Sequence, residues 1–473
     1  MTAEAGDSSC SMMRLPRPTR LVLLAFAALA CTRASAHGPG GTLRPAAFNR
    51  TLALASFDTA WARINATYYD STFRGHDWSA VRATFRPLAE RATSMDQVRA
   101  AMDSLFAQLE DSHFALIPGE VVTAMKGDTS DSTASPGTAG LEFRLVDGQL
   151  LVSHVMAGSA AARAGIRAGW ELLDIDGMDI ARLVSASRAL PKARERRRAE
   201  LQVPLRAEAR ERGPVGSIVA ATLRKGDQRM VRLELARTAW PGDIVKYGPL
   251  PQMYFAFEHE RLPDAEGCVG VIRFSAWMPN LLPLLERAME EVGNCRGIVL
   301  DLRGNVGGVA AMVMGASGFF VNREVALGTL SARVSTLRYM VNPRRANRRG
   351  EAVRPFAGSL AILVDGLSAS TTELFAEGMR DIGRARVFGD TTAGQALPAT
   401  MARLPDGDLL IHAIADFHSP AGRRLEAVGV IPDVVLPLTR RDLLAGRDVA
   451  LATAVAWAGG RPAEVGSAAT QRP

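Results

Sequence analysis

Lysine is almost missing from this chain: Lys126, Lys192, Lys225 and Lys246 are the only four in 473 residues. None follows Lys246, so the chain beyond it has neither a Gly-Lys-Ser/Thr phosphate loop nor a lysine to serve as a base. Cysteine is equally sparse. Cys10, Cys31, Cys268 and Cys295 are too few for a disulfide scaffold. No apolar run approaches the ~20 residues that a membrane-spanning helix needs. Aromatics make up 6% of the residues and do not interleave with the basic runs, Lys192 to Arg198 and Arg344 to Arg349. The net charge of +7 is therefore read as solvated surface, not as a nucleic-acid site. No His, Cys, Asp and Glu spacing suits a metal, and no cofactor is expected.

The composition is otherwise that of a globular protein, 47% hydrophobic and 22% charged, with length for about three domains. Arg14, Arg17 and Arg20 precede the apolar run Leu21 to Ala30 and then Ala34-Ser35-Ala36, the three parts of a secretory leader over 1–36. Export and a soluble mature chain are the expectations. Ala28-Leu29-Ala30-Cys31 offers the alternative of a lipid anchor at Cys31. Removing the leader leaves Cys268 and Cys295, each at or just ahead of a predicted strand. They are either bridged or two separate buried thiols.

Helical spacing dominates Phe48 to Leu109, with Met102, Leu105, Phe106 and Leu109 on one face, so 37–126 reads as a helical unit ending in Ser112-His113. A polar stretch over 127–137 reads as a linker. Short apolar runs and glycine turns, Asp147-Gly148 among them, make 138–240 a β-rich unit interrupted by an arginine-rich, helical Lys192 to Arg212. Beyond it, 241–460 alternates strands and helices. Strands are predicted at Cys268 to Phe274, Gly297 to Leu302, Leu360 to Val364, Ala385 to Phe388 and Ile431 to Leu438, with a hairpin at Asp406-Gly407. Helices are predicted over Leu281 to Val292, Thr372 to Ile382 and Leu443 to Ala456, giving an α/β core and a disordered tail at 461–473.

Two turns carry chemistry. In Val364-Asp365-Gly366-Leu367-Ser368-Ala369-Ser370-Thr371-Thr372-Glu373 a small-residue turn joins a buried strand to a helix. Ser370 falls at the helix N-terminus, where free N–H groups can stabilise an oxyanion; Ser368 competes for the role, and either serine could be a simple N-cap. Asp301-Leu302-Arg303-Gly304-Asn305-Val306-Gly307-Gly308 ends another strand, and its glycines let backbone N–H groups approach a ligand. A second oxyanion donor is the functional reading.

Five blocks, Leu109 to Leu116, the β-rich unit, Asp301 to Gly308, Ser368 to Gly394 and Glu426 to Asp433, resemble in order the C-terminal processing peptidase and tricorn-type serine peptidase family. The resemblance implies a ClpP/crotonase-like α/β core, Ser370 as nucleophile, and an oxyanion hole from the N–H groups of Thr371 and of Gly307 or Gly308. One branch of the family pairs the serine with a lysine. Here the corresponding position, directly after Gly394, holds Gln395, which cannot take a proton. The tricorn-like branch uses a Ser-His pair and a late glutamate. It implies His113 as base, Ser112 to orient it, and Glu426 as anchor. His412 and His418 are alternative bases, explained equally by packing on a hairpin strand. The β-rich unit is similar to a PDZ domain, through Gly140-Leu141-Glu142-Phe143 and Ala161 to Ile166. That implies a peptide added as a strand, its terminal carboxylate held by the first stretch, although Glu142 departs from the usual small residue; a regulatory or docking role is the alternative. The expectation is an exported serine endopeptidase acting on unfolded or tail-exposed proteins. The rival is a non-catalytic binder of peptides or hydrophobic ligands on the same fold.

Overall fold

The computed structural model describes residues 25–26, 48–126, 136–248, 253–264 and 266–460. The tail at 461–473, most of the linker and the leader, apart from Ala25–Phe26, lie outside the described residues.

Six strands form the central sheet, in the order Phe257–Asp264, Gly267–Phe274, Gly297–Asp301, Ser359–Val364, Arg386–Gly389 and Val434–Val435. The first pair is antiparallel and the rest are parallel. Both faces are covered, which is why these strands read as continuous apolar runs. Side chains alternate strictly. Ile298, Leu300, Leu360 and Ile362 pack under helices Leu281–Val292 and Thr371–Asp381, while Val299, Ala361 and Leu363 pack under Val449–Ala458. Each such buried Val, Leu or Ile contributes roughly 1.5–3 kcal/mol.

The sheet positions both cysteines. The parallel register Val269↔Gly297 sets Cys268 beside Cys295, and the two are bridged.

Two predicted elements differ. The strand over Ile431 to Leu438 shrinks to Val434–Val435, because Pro432 and Pro437 lack an N–H and Asp433 turns its carboxylate to the Val387 N–H at 2.8 Å. The closing helix is two helices, Arg440–Leu444 and Val449–Ala458. Gly446 at φ +65° ends the first, and Asp448 caps the second by accepting from the Leu451 N–H.

Three helices, Arg50–Thr67, Trp78–Arg91 and Met95–Phe106, form the N-terminal unit. Asn49, Asp77 and Ser94 cap them. They bury Phe57, Ile64, Trp78 and Met102 against Leu404 and Leu410 from the far end of the chain. Ala115–Ile117 then pairs with Leu409–Ala413, itself the partner of Ala399–Arg403. Arg99 clamps this hairpin through two bonds to Asp408, at 2.7 and 2.8 Å. The Ser112-His113 segment is thereby fixed to the core.

In the β-rich unit the strand order is Met230–Ala236, Ile218–Arg224, Glu171–Ile175, Gln149–Val155 and Leu141–Val146. Asp147 and Gly148 both have positive φ, as the two-residue hairpin turn requires. Helix Ala193–Glu211 buries Val203, Pro204 and Ala207 with Leu141 and Phe143. Its arginine run is not the solvated segment expected. The turns from Arg194 to Leu201 lie over the Ser370 turn, because Leu201 packs on Ala369 and Ala393.

Candidate active site

Strand Ser359–Val364 enters a turn organised by Asp365, whose Oδ1 accepts from the Gly304, Leu367 and Ser368 N–H groups at 2.9, 3.0 and 3.1 Å. One carboxylate therefore ties the two glycine-bearing turns together. Ser368 is structural: its hydroxyl donates to the Leu302 carbonyl at 2.8 Å. Ser370 caps helix Thr371–Asp381 with φ 58° and ψ −121°, a conformation that costs about 1–3 kcal/mol unless its surroundings enforce it.

Glu373 enforces it. Its Oε2 accepts from the Ser370 and Gln395 N–H groups at 2.9 and 3.0 Å, and its Oε1 from the Thr392 hydroxyl and Gly394 N–H at 2.6 and 2.8 Å. Burial pushes the Glu373 pKa up to about 7, against those bonds. Three of those partners are backbone N–H groups that can only donate, which favours the carboxylate.

Facing Ser370 is His113, at φ 61° and buried. Its Nε2 lies 3.2 Å from Ser370 Oγ, and its Nδ1 2.7 Å from Ser112 Oγ. Ser112 donates twice to Glu426, from its hydroxyl to Oε2 and from its N–H to Oε1, both at 2.8 Å. Ala396 N–H and Arg194 Nη2 complete the Glu426 shell at 3.0 and 2.7 Å.

These bonds assign the tautomer. A Glu426 carboxylate can only accept, so the Ser112 proton points to it, and Ser112 Oγ accepts from Nδ1–H. Nε2 is left unprotonated toward the Ser370 hydroxyl, as a base requires. Burial, with the Arg198 charge nearby, lowers the His113 pKa to about 3, so the resting imidazole is neutral. Burial and the Asp111 charge raise the Glu426 pKa; the Ser112 and Ala396 N–H groups and Arg194 oppose them.

Asp111, Arg194 and Glu373 belong to this network but were not read from the sequence. Asp111 accepts from the Tyr68 and Tyr69 hydroxyls at 2.6 Å each and from Arg74 at 2.5 Å, and so anchors the segment before His113. The Ser-x-x-Glu spacing of Ser370 and Glu373 was a legible helix-start signal. Arg194 joins Asp111 and Glu426, and the neighbouring Arg197 donates to the Thr392 carbonyl.

Gly307 and Gly308 adjoin the serine. A Cβ on Gly307 would meet Ser370 Cβ at 2.7 Å, and one on Gly308 would meet the Trp277 carbonyl oxygen at 2.4 Å, so neither position admits a side chain. The Gly307 N–H donates to Asn305 Oδ1 at 3.0 Å, and the Thr371 hydroxyl to the Gly308 carbonyl at 2.9 Å. His412 lies elsewhere, its Nδ1 3.4 Å from Thr67 Oγ1, and His418 sits on the strand paired with Thr329. The stretch Gly140-Leu141-Glu142-Phe143 adjoins Arg144, which bonds to Asp365 of the serine turn at 2.5 Å. Its Gly140, Leu141 and Phe143 N–H groups bond to Glu211 and Glu208, and Glu142 pairs with Arg273 at 2.7 Å.

A mixed helix and sheet fold, with a serine and a neutral histidine paired at a strand-to-helix turn, is the equipment of a serine-type peptidase. The comparisons specify which. Residues 268–436 match Peptidase family S41, and residues 54–107 match the Tricorn protease C1 domain. Both matches bear out the resemblance to C-terminal processing and tricorn-type serine peptidases that the five sequence blocks led us to expect, and the chain is a serine-type peptidase. It is 27% identical over 389 residues to a carboxyl-terminal-processing protease of Picosynechococcus, covering 80% of this chain and 82% of the relative. Identity to the chloroplastic carboxyl-terminal-processing peptidase 3 of Arabidopsis thaliana is 26%, over 79% and 67% of the two chains. In fold it matches the photosystem II D1 C-terminal processing protease, with a TM-score of 0.54, 22% identity, and 81% and 93% coverage. Mature CPAF matches with the same TM-score, 13% identity, and 84% and 94% coverage.

Proposed function

We propose that this chain is an exported serine endopeptidase that cleaves unfolded or tail-exposed proteins through an acyl-enzyme. The observation that carries the reading is the continuous chain of bonds from Ser370 through His113 and Ser112 to Glu426. Ser370 Oγ attacks the peptide carbonyl carbon while its proton passes to His113 Nε2. The imidazolium formed is stabilised through Nδ1–H, Ser112 and Glu426. His113 then returns the proton to the leaving amine, and a water repeats the cycle to release the acyl group.

The negative oxygen of the tetrahedral intermediate is assigned to the Thr371 N–H and one glycine N–H. Gly307 already donates to Asn305 and Gly308 is paired with Ala25 of the leader, so either glycine is kept for that role. The division into a helical unit, a PDZ-like unit and a ClpP/crotonase-like core is part of the same reading; separate apolar clusters support it for the last two, while the helical unit shares its cluster with Leu404 and Leu410 of the core. Export is supported by the leader composition and the Cys268–Cys295 bridge. Among the described residues no helix is long and apolar enough to cross a membrane.

The test is Ser370→Ala. Cleavage of an unstructured protein and labelling by a fluorophosphonate should both be lost, with the melting temperature retained. Cleavage that survives in the folded variant overturns the assignment.

A further inference from the structure

The N–H groups that the PDZ resemblance reserves for a peptide carboxylate are already in use. Glu211, 1% exposed, accepts through Oε1 from the Gly140 N–H at 2.5 Å, the Leu141 N–H at 3.1 Å and the Thr138 hydroxyl at 2.5 Å. Glu208 takes the next donor, the Phe143 N–H, at 3.3 Å. Leu141–Val146 is the edge strand of its sheet, the one a peptide would extend, and helix Ala193–Glu211 lies along it. Arg237 fastens the end of that helix, donating to the Glu211 carbonyl at 2.9 Å and the Arg210 carbonyl at 2.7 Å.

We propose that Glu211 fills the carboxylate seat of the PDZ-like unit in cis, so that this peptidase selects substrates without reading a free C-terminus. The inference rests on the peptidase reading and narrows its substrate class to extended segments of unfolded protein, internal or terminal. Glu211 is held at the seat by the chain itself, at an effective concentration of about millimolar or higher, whereas a substrate tail must arrive from solution. Elsewhere, a captured carboxylate bonded to two or three N–H groups is worth about ten- to a hundredfold in affinity. That increment should be missing here.

The test uses the full chain carrying Ser370→Ala, which removes turnover, and one fluorescent peptide ending in apolar residues, made with a free carboxylate and with a C-terminal amide. Anisotropy should give affinities that differ by less than about threefold, or no binding of either peptide. A preference for the free carboxylate above that ratio overturns the proposal. Adding Glu211→Ala, with folding checked by circular dichroism, should create a preference of about tenfold by exposing the N–H groups. A folded variant that gains none shows that the loop is not a carboxylate seat, which also overturns the proposal. If that variant does not fold, the ratio with Glu211 in place decides alone. Binding is read without turnover, so failure here is distinct from cleavage that survives Ser370→Ala, which would refute the peptidase reading instead.

Discussion

Replacing Glu426 by Gln tests the relay most sharply, because the change is nearly isosteric and the expected fault lies in one proton. Each Glu426 oxygen faces a backbone donor, the Ser112 N–H on Oε1 and the Ala396 N–H on Oε2. Whichever way the amide turns, its NH2 meets one of them, costing about 1–3 kcal/mol for the unsatisfied donor. With NH2 on the Oε2 side it donates to Ser112 Oγ, whose own proton then turns to His113 Nδ1. His113 is driven to the other tautomer, and Nε2 presents a proton to Ser370 where it should accept one. A wrong tautomer of this kind lowers kcat by about 10³–10⁴, equivalent to about 4–5.5 kcal/mol on the barrier. The assay is kcat and KM on a fluorogenic peptide alongside thermal unfolding. The expected pattern is a collapsed kcat, KM within a few-fold, and a melting temperature lowered by a few degrees. A kcat within tenfold of the parent in a folded variant would mean that Ser112 and Glu426 do not set the tautomer, and the reasoning fails.

Since burial and then Arg198 hold the His113 pKa at about 3 against an ordinary 6.5, the acid limb of kcat/KM should lie below pH 6.5. The neutral imidazole is the working form, so activity is lost only as pH falls through the folded value; Arg198→Ala should shift that limb upward, and an unmoved limb contradicts the assignment. Between about 3 and 6.5 the unfolded chain takes up a proton at this position that the folded chain refuses, so acid should also lower stability there. Glu373→Gln places an amide among four donors, and a stability loss of about 1–3 kcal/mol with reduced kcat should follow; unchanged unfolding and kinetics would show that Ser370 does not need this clamp. Reducing the Cys268–Cys295 bridge, with its sequence separation of 27, should cost about 3 kcal/mol. An unchanged melting temperature after reduction and alkylation of both thiols would argue against the bridge.

Local chemistry was legible in the sequence, and contacts made by side chains across units were not. The turn into Ser370 could be read because a buried apolar run, small residues and a helix start lie in consecutive positions. Gly307 is explained in the same way, since its neighbour in space, Ser370, leaves no room for a Cβ. The arginine run from Lys192 misled because composition reports charge and not partners. Arg194 serves two buried carboxylates, Asp111 and Glu426, that lie far from it in sequence. Glu211 was illegible for a related reason: a glutamate at the end of a charged helix looks solvated until the sheet edge beside it is known. The split of the closing helix was signalled by Gly446 and Asp448, but apolar spacing on both sides masked it.

The site also depends on the order in which the chain comes together. His113 and Ser370 are 257 residues apart, and Ser112 and Glu426 are 314 apart. Both contacts rely on the pairing of Ala115–Ile117 with Leu409–Ala413, which fixes where the preceding Ser112-His113 segment ends. The serine turn, by contrast, is built within the core from residues 301–308, 359–381 and 392–395, without a residue of the N-terminal helices. On the proposed mechanism, the nucleophile's turn is thus held within the core, and its base is brought to it by the N-terminal unit. Contacts of such long sequence separation carry the full cost of closing the loop before they return any stability. A partly folded chain would hold Ser370 in its turn but lack a base, so competence to cleave should appear with docking of the N-terminal unit and not with formation of the sheet.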